Sequence, residues 1–463
     1  MKFKNMKVRY KWEKRHKCIL NQYLEKLKCN EIRYFILRNY EGLPELNHSK
    51  DIDLIIEPGQ YDAASNILFE TFKAFDVPNY YVVKFERANC WIGIDLEDDF
   101  YIHIDLIEGY LNKGFEIFPF EELYQHTVEY NSYRVLSPDY DAVMLLIYKV
   151  IGCKELKEKY RNKISNLYVI ENGNIQKILK YVFDRNFAKE IIEHLGKQDY
   201  DWIISNAKRL SNNSKKRAFM KRPLYTLKNI VYFILEKIQR IVICPPKMQK
   251  MIAVEAPDGA GKTTFIDLLC VRLAECFVTD ISKVHVNHFR PNYLPNLGEL
   301  GEKAGMMKQD RDFSRPHRGK KTSQVSSIVR LFYYWLDYVL GGFISIRKDV
   351  QFDKFSIYDR YAYDFLVDPR RSKINLPYII RKLFAKMVPQ PQITFFLNAD
   401  ANTIYSRKQE LEVDEIKRQL KEFERLEKIT RGYKQLDASK RPEEIVNEAL
   451  DVIIDRFTCK IEK

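Results

Sequence analysis

The stretch MIAVEAPDGAGKTTFIDLLC, residues 251–270, constrains the fold of this chain more than any other. The apolar run from Met251 to Ala256 predicts a buried strand, and the segment that opens at Lys262 has the apolar spacing of a helix. The glycine-containing loop PDGAG lies between them. A strand, such a loop and a helix in this order aim backbone N–H groups and the positive end of the helix dipole at one hollow. The stretch therefore predicts an anion-binding loop.

The residue types in this loop predict phosphate as the anion. Gly259 and Gly261 permit backbone conformations that a Cβ hinders, Lys262 supplies a mobile positive charge, and the Thr263 hydroxyl is placed to bind Mg²⁺. The loop follows the pattern G-x-x-x-x-G-K-[ST], with Ala256 in place of the first glycine. A glycine-rich turn that carries Lys-Thr by chance is the alternative, and the flanking strand and helix argue against it. The predicted nucleotide-binding residues are Asp258, Gly259, Ala260, Gly261, Lys262, Thr263 and Thr264.

The sequence APDGAGKTT resembles the loop of thymidylate kinases and related nucleoside monophosphate kinases, and the resemblance extends over residues 249–463. It implies an α/β fold with a parallel sheet flanked by helices. It also implies ATP and Mg²⁺ as cofactors, with a nucleoside monophosphate or a related small molecule as the phosphoryl acceptor. Lys262 is then a catalytic residue.

A second informative stretch is FSIYDRYAYDFLVDPRR, residues 355–371. FSIY predicts a buried strand that ends at Asp359 and Arg360, and ligands of open parallel sheets bind at the carboxyl ends of strands. In the resembling kinases the acid lies near Mg²⁺ and the arginine holds the acceptor, so both residues are predicted to be catalytic. The alternative is an ion pair that caps the strand. VDPRR also resembles kinase-like proteins of bacterial polysaccharide gene clusters, whose acceptor the sequence does not name.

A third match follows the strand ITFFL, residues 393–397, where Arg407 and Lys408 lie on the next helix. In thymidylate kinases this region leads into a mobile lid whose basic residues clamp the ATP phosphates. Arg407 is the predicted catalytic match, with Lys408, Lys417 and Arg418 as further lid charges. The alternative is a solvated basic helix. Before this region, the polar segment 291–324 predicts a long loop, and Arg330 follows it on an aromatic-rich helix.

The N-terminal part of the chain has a separate cluster of acids. Asp51 and Asp53 in the predicted strand DIDLII point to one face, and Asp105 lies on a later strand. LRNYEGLPELNHSKDIDLII with HIDL resembles nucleotidyltransferases of the DNA polymerase beta superfamily, which implies these three acids as ligands of Mg²⁺. Only Ser49 stands where that superfamily has Gly-Ser. Solvated strand-end carboxylates are the alternative, and Asp95 competes for the position of third acid.

Helical spacing from Ser137 predicts a helical extension of this first domain, on which Lys149, Lys154 and Tyr160 are candidates to face a nucleotide. The alternative is that the charged residues form the solvated face of a helix. The basic segment 211–248 predicts a linker that ends in an amphipathic helix. Its apolar side chains either pack between domains, which is the favoured interpretation, or lie on an anionic membrane surface.

Composition limits the function classes. Of 463 residues, 46% are hydrophobic, which excludes a disordered chain, and 77 Lys and Arg against 63 Asp and Glu give a net charge of +14. This excess suits phosphate-rich substrates, anionic lipid or nucleic acid. None of the eight cysteines forms a C-x-x-C pair, and no uncharged apolar run reaches spanning length. We therefore expect reduced thiols and a cytoplasmic location.

Together these observations predict an α/β protein with four segments. They are a nucleotidyltransferase-like α+β domain at 1–135, a helical subdomain at 136–210, a basic linker at 211–248 and a P-loop kinase domain at 249–463. ATP-dependent phosphoryl transfer is the favoured function. A nucleic-acid end-processing protein is less favoured because no recognised nucleic-acid motif is present, and a non-catalytic ATP-binding scaffold in polysaccharide assembly is a further alternative. The sequence leaves a homodimer open.

Overall fold

The protein is described here from a computed structural model, which covers residue 8, residues 10–295 and residues 323–462. Its chain divides into two compact units. We call Tyr10–Glu236 with Thr458–Lys463 the N-terminal unit, and Lys237–Phe457 the C-terminal unit. Most of the predicted loop at 291–324 lies outside the described residues.

Strands are present in both units. Those of the N-terminal unit are β1 Tyr34–Ile36, β2 Ile52–Ile56, β3 Asn79–Phe85, β4 Ala88–Asp95, β5 Phe100–Glu108, β6 Leu111–Asn112, β7 Phe115–Glu116, β8 Thr127–Tyr130 and β9 Tyr133–Leu136. Those of the C-terminal unit are β10 Lys250–Glu255, β11 Val284–His288, β12 Phe355–Asp359, β13 Ile393–Asn398 and β14 Tyr433–Asp437. The short β15, Cys459–Lys460, pairs with β3 in the N-terminal unit.

Helices flank both sheets. The first nine are α1 Lys14–Cys29, α2 Tyr61–Ala74, α3 Phe120–Gln125, α4 Pro138–Leu146, α5 Glu158–Val182, α6 Arg185–Gly196, α7 Tyr200–Ser205, α8 Ala207–Lys221 and α9 Pro223–Lys237. The other helices of the described residues are α10 Lys262–Cys276, α11 Gln324–Gln351, α12 Asp364–Val367, α13 Tyr378–Lys386, α14 Ala401–Arg407, α15 Val413–Arg425 and α16 Pro442–Phe457. π-helical turns at Ile147–Cys153 and Ile238–Ile243 follow α4 and α9.

The N-terminal unit is built on a mixed sheet of eight strands in the order β15-β3-β4-β5-β2-β1-β9-β8. Strand β2 is buried along its whole length because helices cover both faces of the sheet. Leu54 and Ile56 pack on one face with residues of α1 and α2, and Ile55 packs on the other face with residues of α4 and α5. Parallel pairing of β2 with β5 sets Asp53 opposite Asp105.

The C-terminal unit has an all-parallel sheet of five strands in the order β11-β12-β10-β13-β14. Residues of α11, α12 and α15 form one apolar cluster with Met251 and Ala253 of the central strand β10. On α10, Phe265 contacts Phe395 of β13, and on α16, Phe457 contacts Phe355 of β12. The predicted α/β fold, a parallel sheet flanked by helices beside an N-terminal domain with its own sheet, is confirmed.

The predicted linker needs a correction. Residues 211–221 are not an irregular connection, because α8 runs through them and buries Leu210, Ser214 and Ala218. The polar composition of this segment does not indicate a helix, because the residues that α8 buries there, Ser214 and Ala218, have small side chains. On α9, Thr226 and Asn229 are buried. No helix among the described residues is long and apolar enough to cross a membrane.

Candidate functional site

The loop between β10 and α10 depends on two glycines. Gly259 has φ +92° and Gly261 has φ +87°, both in the left-handed region that side chains disfavour. A Cβ at Gly259 would also lie 3.0 Å from the Ile404 carbonyl oxygen and 3.0 Å from the Lys408 Cβ. At Gly259 and Gly261, any other residue would adopt the backbone conformation of the loop only under strain.

The N-terminus of α10 opens onto this loop. Helix α10 begins at Lys262, and no side chain of its N-cap residue Gly261 is available to cap it. The first N–H groups of an α-helix have no partner within the helix. Those of Lys262, Thr263 and Thr264 are therefore donors for an anion, and both threonine side chains are exposed. This geometry is suitable for an anion such as phosphate.

Lys262 and Asp359 meet at the adjacent ends of β10 and β12. The Lys262 Nζ lies 2.5 Å from the Asp359 Oδ1, and the His288 Nδ1 contacts the Asp359 Oδ2 at 2.9 Å. Burial and the nearby Arg360 lower the pKa of Lys262. Burial acts to raise the pKa of Asp359, but the charge and hydrogen bond of Lys262 outweigh it and the pKa is lowered. The two residues therefore form a charged pair.

Arg360 is buried and lies between carboxylates. Its Nη2 lies 2.7 Å from the Asp258 Oδ1 in the loop, and its Nη1 lies 3.2 Å from the Asp364 Oδ1. Its backbone has φ +69°, with its N–H donating to the Val254 carbonyl at 3.0 Å. The Arg371 Nη2 binds the other oxygen of Asp258. Two arginines thus hold Asp258, and their charges overcome burial and push its pKa far below the usual range.

Sequence reasoning missed three members of this cluster. Glu255 and Asp364 are fully buried, and Arg371 reaches Asp258 from the turn after α12. The Glu255 Oε1 accepts from the Tyr361 N–H at 2.8 Å, while its Oε2 has no hydrogen-bond partner among the described residues. Burial and the charge of Asp364 raise the pKa of Glu255 well above its usual value. The sequence does contain a signal for Glu255, since it is an acidic residue at the end of an apolar strand.

The predicted lid residues are bound elsewhere. The Arg407 Nη1 donates to the Ala438 carbonyl at 3.0 Å, beyond the end of β14. Arg418 pairs with Glu415 and donates to the Val367 carbonyl at 2.8 Å. Lys408 is the residue of this group whose stem lies beside the loop, at Gly259. The structure therefore brings together the loop, Asp359 and Arg360, and it does not bring the Arg407 guanidinium to them.

The N-terminal unit has a second cluster. Carboxylate oxygens of Asp51, Asp53 and Asp105 all lie within 4.8 Å of one another, at the paired strands β2 and β5. Asp95 is not part of it, because its Oδ2 pairs with the Arg15 Nη1 at 2.8 Å. The His103 Nε2 contacts the Asp105 Oδ1 at 2.7 Å. Three acids at this spacing are a suitable donor set for Mg²⁺.

An arginine that sequence reasoning did not single out occupies one side of this cluster. The Arg38 Nε lies 2.6 Å from the Asp53 Oδ2, and its Nη2 lies 3.6 Å from the Asp51 Oδ2. Burial and the charge of Asp51 raise the pKa of Asp53 to about 7. Burial opposes ionisation of Asp51 too, but Arg38 and His103 lower its pKa below the usual value. Asp51 and Asp53 therefore differ in how readily they ionise.

Tyr160 and Lys149, two candidates from the predicted helical extension, lie near Arg38 and the acidic cluster. The Arg38 Nη1 lies 3.4 Å from the Tyr160 hydroxyl, and the Lys149 Nζ lies 4.9 Å from the centre of the Tyr160 ring. Lys149 belongs to the π-helical turn after α4, and such turns are frequent at functional sites. Lys154 is exposed at the end of this turn. Acids and cations thus lie side by side in the N-terminal unit.

Comparisons with known proteins find similarity among solved structures. No protein-family model matches the chain, and no curated protein matches it in sequence. Among solved structures, the chain is similar to a thymidylate kinase from Ehrlichia chaffeensis with 16% sequence identity and a TM-score of 0.29. The match covers 44% of this chain and 98% of that one.

Proposed function

We propose that the C-terminal unit is an ATP- and Mg²⁺-dependent phosphotransferase that acts on a nucleoside monophosphate or a related small acceptor. The observation that carries this proposal is the contact of Lys262 with Asp359 at 2.5 Å, beside the uncapped N-terminus of α10. A cation, an acid and free N–H donors at adjacent strand ends are what phosphoryl transfer requires of a protein.

Each group has a task in this proposal. The N–H groups of Lys262, Thr263 and Thr264 hold the phosphates, and Lys262 neutralises their charge. The Thr263 hydroxyl and the Asp359 carboxylate are the candidate donors for Mg²⁺. ATP supplies the phosphoryl group when it is bound. The chain contributes position and charge, with no covalent intermediate on a side chain.

The exposure of each arginine side chain decides whether we assign it to the acceptor phosphate or to the position of the loop. Only 4% of Arg360 is exposed and its guanidinium is bound by two carboxylates, so it positions the loop through Asp258. Arg371 binds the same carboxylate and is less buried, so it is the better candidate to meet an acceptor phosphate. Arg330 is a second candidate, since its buried Nε has no hydrogen-bond partner among the described residues.

The test is a screen of ATP consumption over nucleoside monophosphates, sugars and sugar phosphates with the full chain. Lys262→Ala is compared with Lys421→Ala, which changes an exposed lysine on α15. We expect the first variant to lose on the order of 100-fold or more in turnover and the second to match the wild type. Equal turnover in the Lys262 variant contradicts the proposal. ATP binding without turnover of any acceptor favours the scaffold instead.

The N-terminal unit supports a second candidate function, nucleotidyl transfer. The observation is that oxygens of Asp51, Asp53 and Asp105 fall within 4.8 Å of one another. These acids would hold Mg²⁺, which activates an attacking hydroxyl when bound. Nucleotide transfer is tested with Asp51→Ala/Asp53→Ala. If this variant transfers nucleotides as the wild type does, the acids are structural. Steeply salt-dependent binding of DNA or RNA would favour the end-processing alternative.

A further inference from the structure

We propose that Cys90, His103 and Asp105 form a binding site for Zn²⁺ on the sheet of the N-terminal unit. One donor atom from each of these side chains lies within 4.8 Å of the other two. The proposal goes beyond phosphoryl transfer and nucleotidyl transfer, and the site stands if neither activity is found.

Strand pairing brings the three side chains together. Cys90 of β4 is the antiparallel partner of Asp105 of β5. Side chains directly opposite each other on paired strands are neighbours on one face of the sheet. His103 precedes Asp105 by two residues, so these two side chains also point to the same face. The three donors are therefore held by paired strands and not by a loop.

The face of β5 that carries the donors is accessible to an ion. Residues of β5 alternate, and Ile102 and Ile104 are buried on the face that packs with α1 and α2. On the other face, the side chains of His103 and Asp105 are 12% and 15% exposed, and Cys90 is only partly buried. An ion can therefore reach the donors, and water can occupy a coordination position that the protein leaves open.

The donor types decide which class of metal fits. A thiolate and an imidazole suit Zn²⁺, whereas Mg²⁺ prefers oxygen donors. Three protein donors with a fourth position for water match the ligand number of catalytic zinc sites. Asp51 and Asp53 converge with Asp105 through carboxylate oxygens alone, so that neighbouring group suits Mg²⁺ instead.

The donor positions require only small side-chain movements to surround an ion. Donor atoms of a tetrahedral Zn²⁺ site lie about 3.3–3.8 Å apart, since its bonds are about 2.0–2.3 Å long. The His103 Nε2 and the Asp105 Oδ1 are 2.7 Å apart, so they would separate by roughly 0.6 Å. The hydrogen bond between them is then replaced by two bonds to the metal.

Asp105 connects this site to the three acids. Two groups among the described residues could hold a metal, and Asp105 belongs to both. A carboxylate has two oxygens, so Asp105 can bind Zn²⁺ with one oxygen and remain a donor beside Asp51 and Asp53 with the other. Zn²⁺ held by Cys90 and His103 therefore fixes the position of the third acid.

Cobalt binding tests the proposal, because Co²⁺ can replace Zn²⁺ and absorbs in the near ultraviolet when a thiolate binds it. The reduced full chain is freed of metal with a chelator and titrated with Co²⁺ in the absence of nucleotide. Cys90→Ser removes the thiolate, and His103→Gln removes the imidazole. Cys29→Ser is the matched control, because it removes an exposed cysteine at the end of α1. Circular dichroism and thermal unfolding establish which variants are folded, and either site variant alone is sufficient for the test.

We expect a saturable thiolate-to-cobalt absorption band with the wild type and with Cys29→Ser, and added Zn²⁺ should abolish it. Cys90→Ser should lack the band. His103→Gln should bind Co²⁺ on the order of 100-fold more weakly or worse, since loss of an outer-shell partner already costs about 10–100-fold.

A wild type without the band overturns the proposal. So does a band that survives in Cys90→Ser, a band that is lost equally in Cys29→Ser, or an unchanged affinity in His103→Gln. Because no nucleotide or acceptor is present, this outcome is separate from the result of either transfer assay.

Discussion

The guanidinium of Arg360 lies 2.7 Å from the carboxylate of Asp258, so the arginine that follows β12 is tied to the loop that follows β10. These strands are neighbours in the sheet, and the contact joins their carboxyl ends. Asp364 holds the same guanidinium from the other side. Arg360 therefore connects the end of β12 and the start of α12 to the loop after β10 through buried charge.

Breaking this connection should destabilise the C-terminal unit. Arg360→Ala leaves Asp364 buried without its cation, and we expect the free energy of unfolding to fall by about 3–5 kcal/mol. Arg425→Ala, which removes an exposed pair with Glu422, should cost less than about 1 kcal/mol. Urea unfolding of both variants measures the difference. Equal effects would show that the buried cluster adds nothing to stability.

Gly261 should not tolerate a side chain. Its φ of +87° strains alanine, so Gly261→Ala should lower stability by about 1–2 kcal/mol and weaken ATP binding. Gly173 lies within α5 with open space around its Cα, so Gly173→Ala should instead stabilise by about 0.5–1 kcal/mol. Thermal unfolding and nucleotide titration compare the two. Unchanged nucleotide affinity in Gly261→Ala would contradict the assigned loop geometry.

The acids of the N-terminal unit should make its stability depend on pH. Asp53 has a pKa of about 7 in the folded protein, above its value in the unfolded chain, so the folded state binds the proton more tightly. The stabilisation that comes from protonated Asp53 is fully present below the pKa of Asp53 in the unfolded chain. It is lost as pH rises toward and through 7. Hydrogen exchange of the β2 backbone should therefore become less protected between pH 5 and about 8, after correction for the intrinsic exchange rate. Asp53→Asn should remove this dependence, and an unchanged pH profile in that variant would refute it.

Metal binding should distinguish Asp105 from Asp95. Without nucleotide, we expect Mn²⁺ to bind the three acids of the N-terminal unit, and Asp105→Asn to weaken this binding by at least about tenfold. Asp95→Asn changes an acid that pairs with Arg15 and should leave affinity unchanged. Calorimetric titration measures both. Equal affinity in all three proteins would mean that the acids form a charge cluster with Arg38 and hold no metal.

The sequence predicted what is local in this fold. The strand, glycine loop and helix around Lys262 were predictable because periodicity and loop chemistry act over short distances in the chain. The contact of Arg38 with Asp53 was not, since it depends on antiparallel pairing of β1 with β2. The binding of Asp258 by Arg371 likewise joins residues far apart in sequence.

Two other differences have physical reasons. The helix α8 was missed because its buried stripe contains Ser214 and Ala218 in place of large apolar residues. The burial of Asn229 on α9 could not be predicted, because its partner Arg87 is far away in the sequence.

Transfer of labelled γ-phosphate from ATP to the acceptor found in the screen tests the central claim most directly. Single-turnover transfer is measured for the wild type, Lys262→Met and Lys421→Met. We predict labelled acceptor with the wild type and the Lys421 variant, and a rate on the order of 100-fold or more lower with the Lys262 variant. Transfer at the wild-type rate without the Lys262 ammonium would contradict the account.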